Sequence, residues 1–208
     1  MSESEGDVRS RLVAAGVDLV LREGLAAVSL REIARRAGVS HGAPRRYFPT
    51  HLDLLSAIAR EGYAELAARV ATTVRDAGPD PRHQLVALGR SYLDYAAAHR
   101  GMFELMFRHD LLDSGRLGLR DSSLPLFALL VDLVARVRRP ADAEAGVLAG
   151  ALWANLHGIA QLWAWGSLQL ATGAADDDAL LRATLDAHLG PAPTPPEDTC
   201  RCSTTSPS

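Results

Sequence analysis

The sequence predicts an all-α protein of about nine helices. Three observations carry this. Apolar residues recur at three- and four-residue spacing along most of the chain, with no alternating strand run and no internal repeat. Ala and Leu dominate while aromatic residues make up only 5%. Several glycines and prolines, among them Gly24, Gly38, Pro49, Gly78, Pro79 and Pro140, fall between the periodic segments, where helices stop.

The elements follow in order. Over residues 7–23, Leu12, Ala15 and Leu19 share a face with Val8 and Gly16, and Gly24 is expected as a left-handed cap. Ser29 and Glu32 form a capping box, each able to satisfy the other's amide, ahead of Leu30, Ile33, Ala34 and Ala37. Gly38 ends that short helix. Ser40 caps a third, running to about Phe48 before Pro49 breaks it. Thr50 and Asp53 form another cap and open a long helix over residues 51–76, with Leu54, Leu55, Ile58, Tyr63, Leu66 and Val70 on its buried side. Residues 78–81 read as a linker. Residues 82–100 read as a helix that Gly101 interrupts and 102–108 resume; 110–123 read as a loop with Gly115 and Gly118; 124–138 are helical again. Residues 146–175 hold 30 residues without a charge, predicting a helix buried on most sides, between its own domain and a partner subunit. Asp176, Asp177 and Asp178 suit the N-terminus of a last helix to about residue 189. The tail over 191–208, with four prolines before Cys200, is expected to be disordered.

Composition bounds the function. The chain has 208 residues, 25 acids and 22 basic residues, all of them arginine, for a net charge of −3. Bulk charge therefore gives no sign of a polyanionic partner. Apolar residues at 48% and charged residues at 23% suit a globular domain with a substantial core. The two cysteines, Cys200 and Cys202, sit in the tail, so no disulfide framework is expected, and a bystander role is favoured over metal binding there. The polar, acidic start carries no secretory pattern, which predicts a cytoplasmic location.

The charge is not evenly spread. Between Ser29 and Phe48 five arginines (Arg31, Arg35, Arg36, Arg45, Arg46) face one acid, Glu32, a net +4 within 20 residues. Two short helices joined at Gly38, with the small Ala34 four residues earlier to allow close crossing, meet the requirements of a helix-turn-helix. Its second helix would lead into a major groove with Ser40, His41, Gly42 and Ala43. An ordinary helical hairpin with a solvated basic face would show the same spacing.

The run Arg31-Glu32-Ile33-Ala34-Arg35-Arg36-Ala37-Gly38-Val39-Ser40, then Gly42-Ala43, Tyr47-Phe48-Pro49-Thr50 and Leu54-Leu55 resembles the DNA-binding domain of TetR-family transcriptional regulators. Further on, Leu152-Trp153-Ala154-Asn155-Leu156-His157-Gly158 is similar to the Trp-x3-His-Gly signature of one C-terminal subgroup. The resemblance implies a helix-turn-helix DNA-binding domain over 1–50 and a helical ligand-binding and dimerisation domain over 51–190. It implies a homodimer, paired through the two C-terminal helices, that binds palindromic double-stranded operator DNA as a repressor and leaves it when a small apolar or aromatic effector binds. It assigns phosphate contacts to Ser29 and Arg31, base-facing positions to Ser40, His41, Gly42 and Ala43, and backbone or base contacts to Arg46 and Tyr47. This chain departs from the family in having Arg45 where a tyrosine is usual and His51 where a lysine is usual; both positions are common phosphate anchors. Pro44, within the first turn or so of the recognition helix, puts the helix start in question.

In the second half, Phe103, Met106 and Phe107 share one short helix, and Trp153, His157, Trp163 and Trp165 fall on the uncharged segment. Phe103, Met106, Phe107, Trp153, His157 and Trp163 are the candidate effector-binding residues, since small-molecule pockets are mostly apolar with few polar groups; plain core packing is the competing reading for each. The uncharged segment is long enough to span a bilayer, but Asn155, His157, Gln161, Ser167 and Gln169 within it, and acids after it, argue against a membrane. No catalytic residue, metal site or cofactor is expected: there is no Glu-x-x-His pair, no His-Glu-x-x-His site, no nucleophile elbow, and no P-loop without lysine. The alternative is an all-α small-molecule-binding protein or enzyme without DNA binding, which Pro44, Arg45 and His51 keep open.

Overall fold

The computed structural model describes residues 5–108, 110–111, 118–138 and 142–191, and among them every regular element is helical. Among the described residues these ten α-helices stand, against about nine expected: α1 (Glu5–Glu23), α2 (Leu30–Arg36), α3 (Ala43–Tyr47), α4 (His51–Asp76), α5 (Pro81–Ala98), α6 (Arg100–Met106), α7 (Leu119–Arg138), α8 (Asp142–Ala164), α9 (Ser167–Thr172) and α10 (Asp178–Leu189). The tail expected over 191–208, Cys200 and Cys202 included, lies outside the described residues beyond Pro191.

Helices α1 to α3 form a head on the N-terminal end of α4. Val8, Leu12, Leu19 and Val20 of α1, Ile33 and Ala34 of α2, and Phe48 are buried there with Leu54, Leu55 and Ile58 of α4. The turn between α2 and α3 needs Gly38, whose φ of 65° is left-handed. The guanidinium of Arg11 fastens that turn from α1, donating from Nε to the Ala37 carbonyl at 3.2 Å and from Nη2 to the Gly38 carbonyl at 3.3 Å. A cation there satisfies carbonyls that a helix end leaves without partners.

Three details of the head differ from expectation. Gly24 has φ 81° and ψ 175°, an extended mirror-image geometry that starts a 3-10 turn at Leu25–Ala27, not a left-handed helical cap. Ser29 accepts from the Glu32 amide at 3.2 Å, but the Glu32 carboxylate is taken by Arg35 and Arg36, so the capping box is half made. The recognition helix is shorter than residues 40–48: Ser40 accepts the Ala43 amide at 2.9 Å through its backbone carbonyl in a turn, and α3 begins at Ala43. Pro44 then stands in the first turn, where amides have no helical partner to lose. Its ring is buried, which anchors the start of the helix.

At Thr50 the capping box is complete. Asp53 Oδ2 accepts from the Thr50 amide at 2.7 Å, and Thr50 Oγ1 accepts from the Asp53 amide at 3.1 Å. From there α4 runs through head and body. It packs on α5, α6 and α7, while α8 packs on α5, α7, α9 and α10.

Gly101 does not interrupt a helix. The break is two residues earlier, at His99, and α6 carries Gly101 against the end of α1. A Cβ at Gly101 would lie 2.9 Å from the Val20 carbonyl oxygen and 3.1 Å from Gly24 Cα, so only glycine permits this approach of body to head. Helix α7 starts at Leu119, five residues before the expected start, and carries Pro125 within it. The uncharged segment is two helices, since Gly166 turns the chain with φ 76°. Helix α8 buries Ala149, Leu152, Leu156, Ile159 and Ala160 against its own chain, and Val147, Ala151, Ala154 and Leu162 are exposed on the single chain. Two of the three acids at the start of α10 bind Arg90 of α5, the N-cap Asp177 at 2.6 Å and the first helical residue Asp178 at 2.5 Å. No helix among the described residues is long and apolar enough to cross a membrane.

Candidate functional site

Two places carry chemistry: the surface around α3 and a cavity in the body. Around α3, Ser29, Arg31, Ser40, His41, Gly42, Arg45, Arg46 and His51 are exposed, and Ala43 and Tyr47 are half-buried. These ten residues occupy the N-cap and first turn of α2, the turn into α3, α3 itself and the first position of α4.

The net +4 of this stretch divides once partners are assigned. Arg35 grips Glu32 with two hydrogen bonds, at 2.9 and 2.6 Å. Arg36 bonds Glu32 at 2.8 Å, reaches Asp18 at 3.5 Å and pairs with Glu23. Hydrogen bonds from Arg35 and then Arg36 pull the Glu32 carboxyl down to about 2. Arg35 and Arg36 therefore tie α2 to itself and to α1. Arg31 and Arg45 form no ion pair among the described residues, and the Arg46 guanidinium lies 5.9 Å from the Tyr47 ring centroid. One cation was not foreseen. Arg9 of α1 sits over the Phe48 ring at 4.8 Å, and nothing in its sequence neighbourhood signals that placement. Burial, and next the charge of Arg108, lower the pKa of His51 below 6.5, so at neutral pH it can offer a phosphate an N–H but no charge.

The cavity has a volume of about 490 Å³. Its walls come from α4 (Tyr63, Leu66, Val70), α5 (Leu88, Tyr92), Phe107, α7 (Ser123, Leu124, Leu126, Phe127, Leu130) and α8 (Gly150, Trp153, Ala154, Leu156), with no charged side chain. Of the six candidates, Phe107 and Trp153 line it. Phe103 and Met106 are buried on α6, outside the wall. His157 is one layer back, stacked on Phe103 at 5.3 Å and edge-on to Phe107 at 4.7 Å. Trp163 stands apart from the cavity, its carbonyl accepting from Gln169 Nε2 at 3.1 Å. The sequence reading missed Tyr63, Tyr92 and the α7 leucines, because an apolar residue lining a cavity has the same spacing as one in the core.

The Trp153 indole N–H donates to the Tyr92 hydroxyl at 3.3 Å, and that hydroxyl lies 2.9 Å from His157 Nδ1. Burial lowers the His157 pKa below 6.5, keeping the ring neutral, and burial raises both Tyr92 and Tyr63. The Tyr63 hydroxyl donates to the Met106 carbonyl at 2.8 Å, tying α4 to α6.

The family described as "Bacterial regulatory proteins, tetR family" matches residues 12–58, and "Tetracyclin repressor-like, C-terminal domain" matches residues 85–188. The HTH-type transcriptional regulator BetI of Stenotrophomonas maltophilia (strain R551-3) is 38% identical over 80 residues, which are 38% of this chain and 41% of that protein, so the match spans about two fifths of the relative's length. A protein of unknown function from Rhodococcus sp. RHA1 superposes with a TM-score of 0.73 at 29% identity, covering 88% of this chain and 93% of its own. The multidrug binding protein EbrR complexed with ethidium superposes with a TM-score of 0.61 at 26% identity, covering 88% of this chain and 98% of its own.

Proposed function

The chain belongs to the TetR family of bacterial regulatory proteins, ligand-responsive DNA-binding regulators of transcription, and from that premise we propose how its parts divide the work. Residues 1–50 bind DNA, residues 51–190 bind effector and dimerise, and 191–208 are a tail. The observation that carries the proposal is α4. Its first turn adjoins the arginine surface, and Tyr63, Leu66 and Val70 farther along it form a wall of the cavity.

In the proposed complex Arg31 and Arg45 bind phosphates through their guanidinium groups, with Ser29 and the neutral His51 as weaker donors. Ser40, His41, Gly42 and Ala43 face the bases, and Arg46 and Tyr47 contact backbone or base edges. With no lysine in the chain, arginine supplies the charged contacts.

The homodimer is proposed to form through α8 and α10. What supports it is the exposed face of α8, where Val147 is 75% exposed beside the small Ala151 and Ala154. Two copies related by a twofold axis would read a palindrome if their α3 helices stand about 34–36 Å apart. The effector is proposed to be a small, neutral, apolar or aromatic molecule, because the described cavity wall has no charge to pair with an ion. Phe107 and Trp153 would touch it directly; Phe103, Met106 and His157 would support that wall, and Trp163 would play no direct part. The Trp-x3-His-Gly subgroup is supported by the joining of Trp153 and His157 through Tyr92. Release from the operator would follow from movement of α4, making the protein a repressor acting in the cytoplasm. Couplings of this kind are typically about 1–3 kcal/mol.

A mobility-shift titration with DNA from upstream of the protein's own gene tests the proposal. Specific, salt-sensitive binding that Arg46→Ala weakens without changing the oligomeric state is expected. Absence of specific binding, or equal loss of both properties, refutes it.

A further inference from the structure

Among the described residues lining the cavity, the side chains carry four polar hydrogens, and each has an acceptor within the protein. Tyr63 donates to the Met106 carbonyl at 2.8 Å. Trp153 donates to Tyr92 at 3.3 Å. Ser123 turns toward the Arg120 carbonyl at 3.5 Å, the weakest of the set. The fourth is the Tyr92 proton. Its oxygen already accepts from Trp153, whose indole can only donate. The neighbouring His157 Nδ1, at 2.9 Å, belongs to a buried ring. If Nδ1 accepts, the Trp153 indole N–H and the Tyr92 hydroxyl proton each have an acceptor, and the ring carries its proton on Nε2. If Nδ1 donates, one phenol oxygen must take two donors, and the hydroxyl proton turns into an apolar cavity without an acceptor. The first arrangement is the stable one. The polar side-chain atoms then offer a ligand lone pairs, chiefly on Tyr63 and Tyr92, and no spare proton.

We propose that the cavity selects, among neutral aromatic molecules, those that bring their own hydrogen-bond donor, a phenol or an aromatic N–H, to the lone pairs of Tyr63 and Tyr92. This rests on the cavity being the effector site. Ethers and ketones of the same size place a second acceptor against these oxygens and are rejected, as a site built for one hydrogen-bonding sense rejects the analogue lacking it.

Calorimetric titration of the full chain with naphthalene, 2-naphthol, 2-methoxynaphthalene and 2-acetylnaphthalene tests this. The expected result is 2-naphthol binding about tenfold tighter than 2-methoxynaphthalene, with the ketone no tighter than naphthalene. In the double variant Tyr63→Phe, Tyr92→Phe, naphthalene should bind as before while 2-naphthol loses its advantage. The wild-type series stands alone if that variant does not fold. Equal affinities for 2-naphthol and its methyl ether, or preference for the ketone as the other His157 tautomer would give, overturn the proposal. So does a 2-naphthol preference that survives in a folded double variant. Failure of all four probes to bind overturns the cavity as effector site, and this inference with it.

Discussion

The head and the body handle polarity in opposite ways. In the head, α2 and α3 are only seven and five residues long, and charged contacts help to hold them on α1. Arg11 fastens the α2–α3 turn, and Arg36 gathers Asp18, Glu23 and Glu32 from two helices. The body surrounds a cavity of about 490 Å³ with apolar walls, and the few polar side chains there are uncharged and hydrogen-bonded within the protein. A charge at the head surface remains near water and can exchange a solvent partner for a phosphate at little cost. A charge in the cavity wall would have no such partner. Arg31 and Arg45, the arginines proposed to bind phosphate, form no ion pair among the described residues, and the Tyr63 and Tyr92 hydroxyls keep lone pairs beside the cavity.

The largest test of this contrast strikes where the regions meet. Gly101→Val is expected to cost about 1–3 kcal/mol in urea unfolding, because its side chain meets the Val20 carbonyl and neither backbone can retreat easily. Operator affinity should fall with it although the mutation lies in α6; a stability change confined to noise would show that head and body are not packed as described. Next come Arg31→Ala and Arg45→Ala. Each should weaken operator binding about tenfold and lower the slope of log affinity against log salt by about one. Arg35→Ala should leave that slope unchanged, since Arg35 serves Glu32; an equal change for all three would erase the distinction. Third, Trp153→Ala should weaken effector binding about tenfold with operator affinity in the absence of effector unchanged. Smallest is the pH effect. The folded His51 and His157 have pKa values below the ordinary 6.5, so on acidification the unfolded chain takes up protons first. Stability should be full above about pH 6.5 and decline as pH falls from there toward the folded pKa values. His157→Asn should flatten part of that slope in thermal unfolding across pH 7.5 to 5.5; a steeper slope would contradict a neutral ring.

Local patterns were legible in the sequence, and long-range partners were not. The Thr50 and Asp53 cap, the Gly38 turn and the buried face of α4 each depend on residues within one or two turns, and spacing reveals them. Arg36 reads as a surface cation until α1 brings Asp18 and Glu23 alongside. Gly101 reads as a helix break because its reason, the Val20 carbonyl, lies about eighty residues upstream. Gly115 and Gly118 suggest a loop through residue 123, yet α7 begins at Leu119. His157 and Trp153 were visible as a pair one turn apart. Tyr92, which connects them from another helix, was not.

Helix α4 has 26 residues, which at about 1.5 Å each makes a rod of about 39 Å. Its length sets a mechanical gain. A tilt of about 4° pivoting near one end displaces the other by roughly 2.7 Å. Two such rods mirrored in a pair of copies would change the separation of their tips by about 5 Å, a sizeable misfit against the regular pitch of DNA. A molecule no larger than the cavity can therefore act on a span many times its own width, provided that the rod stays stiff between its two ends.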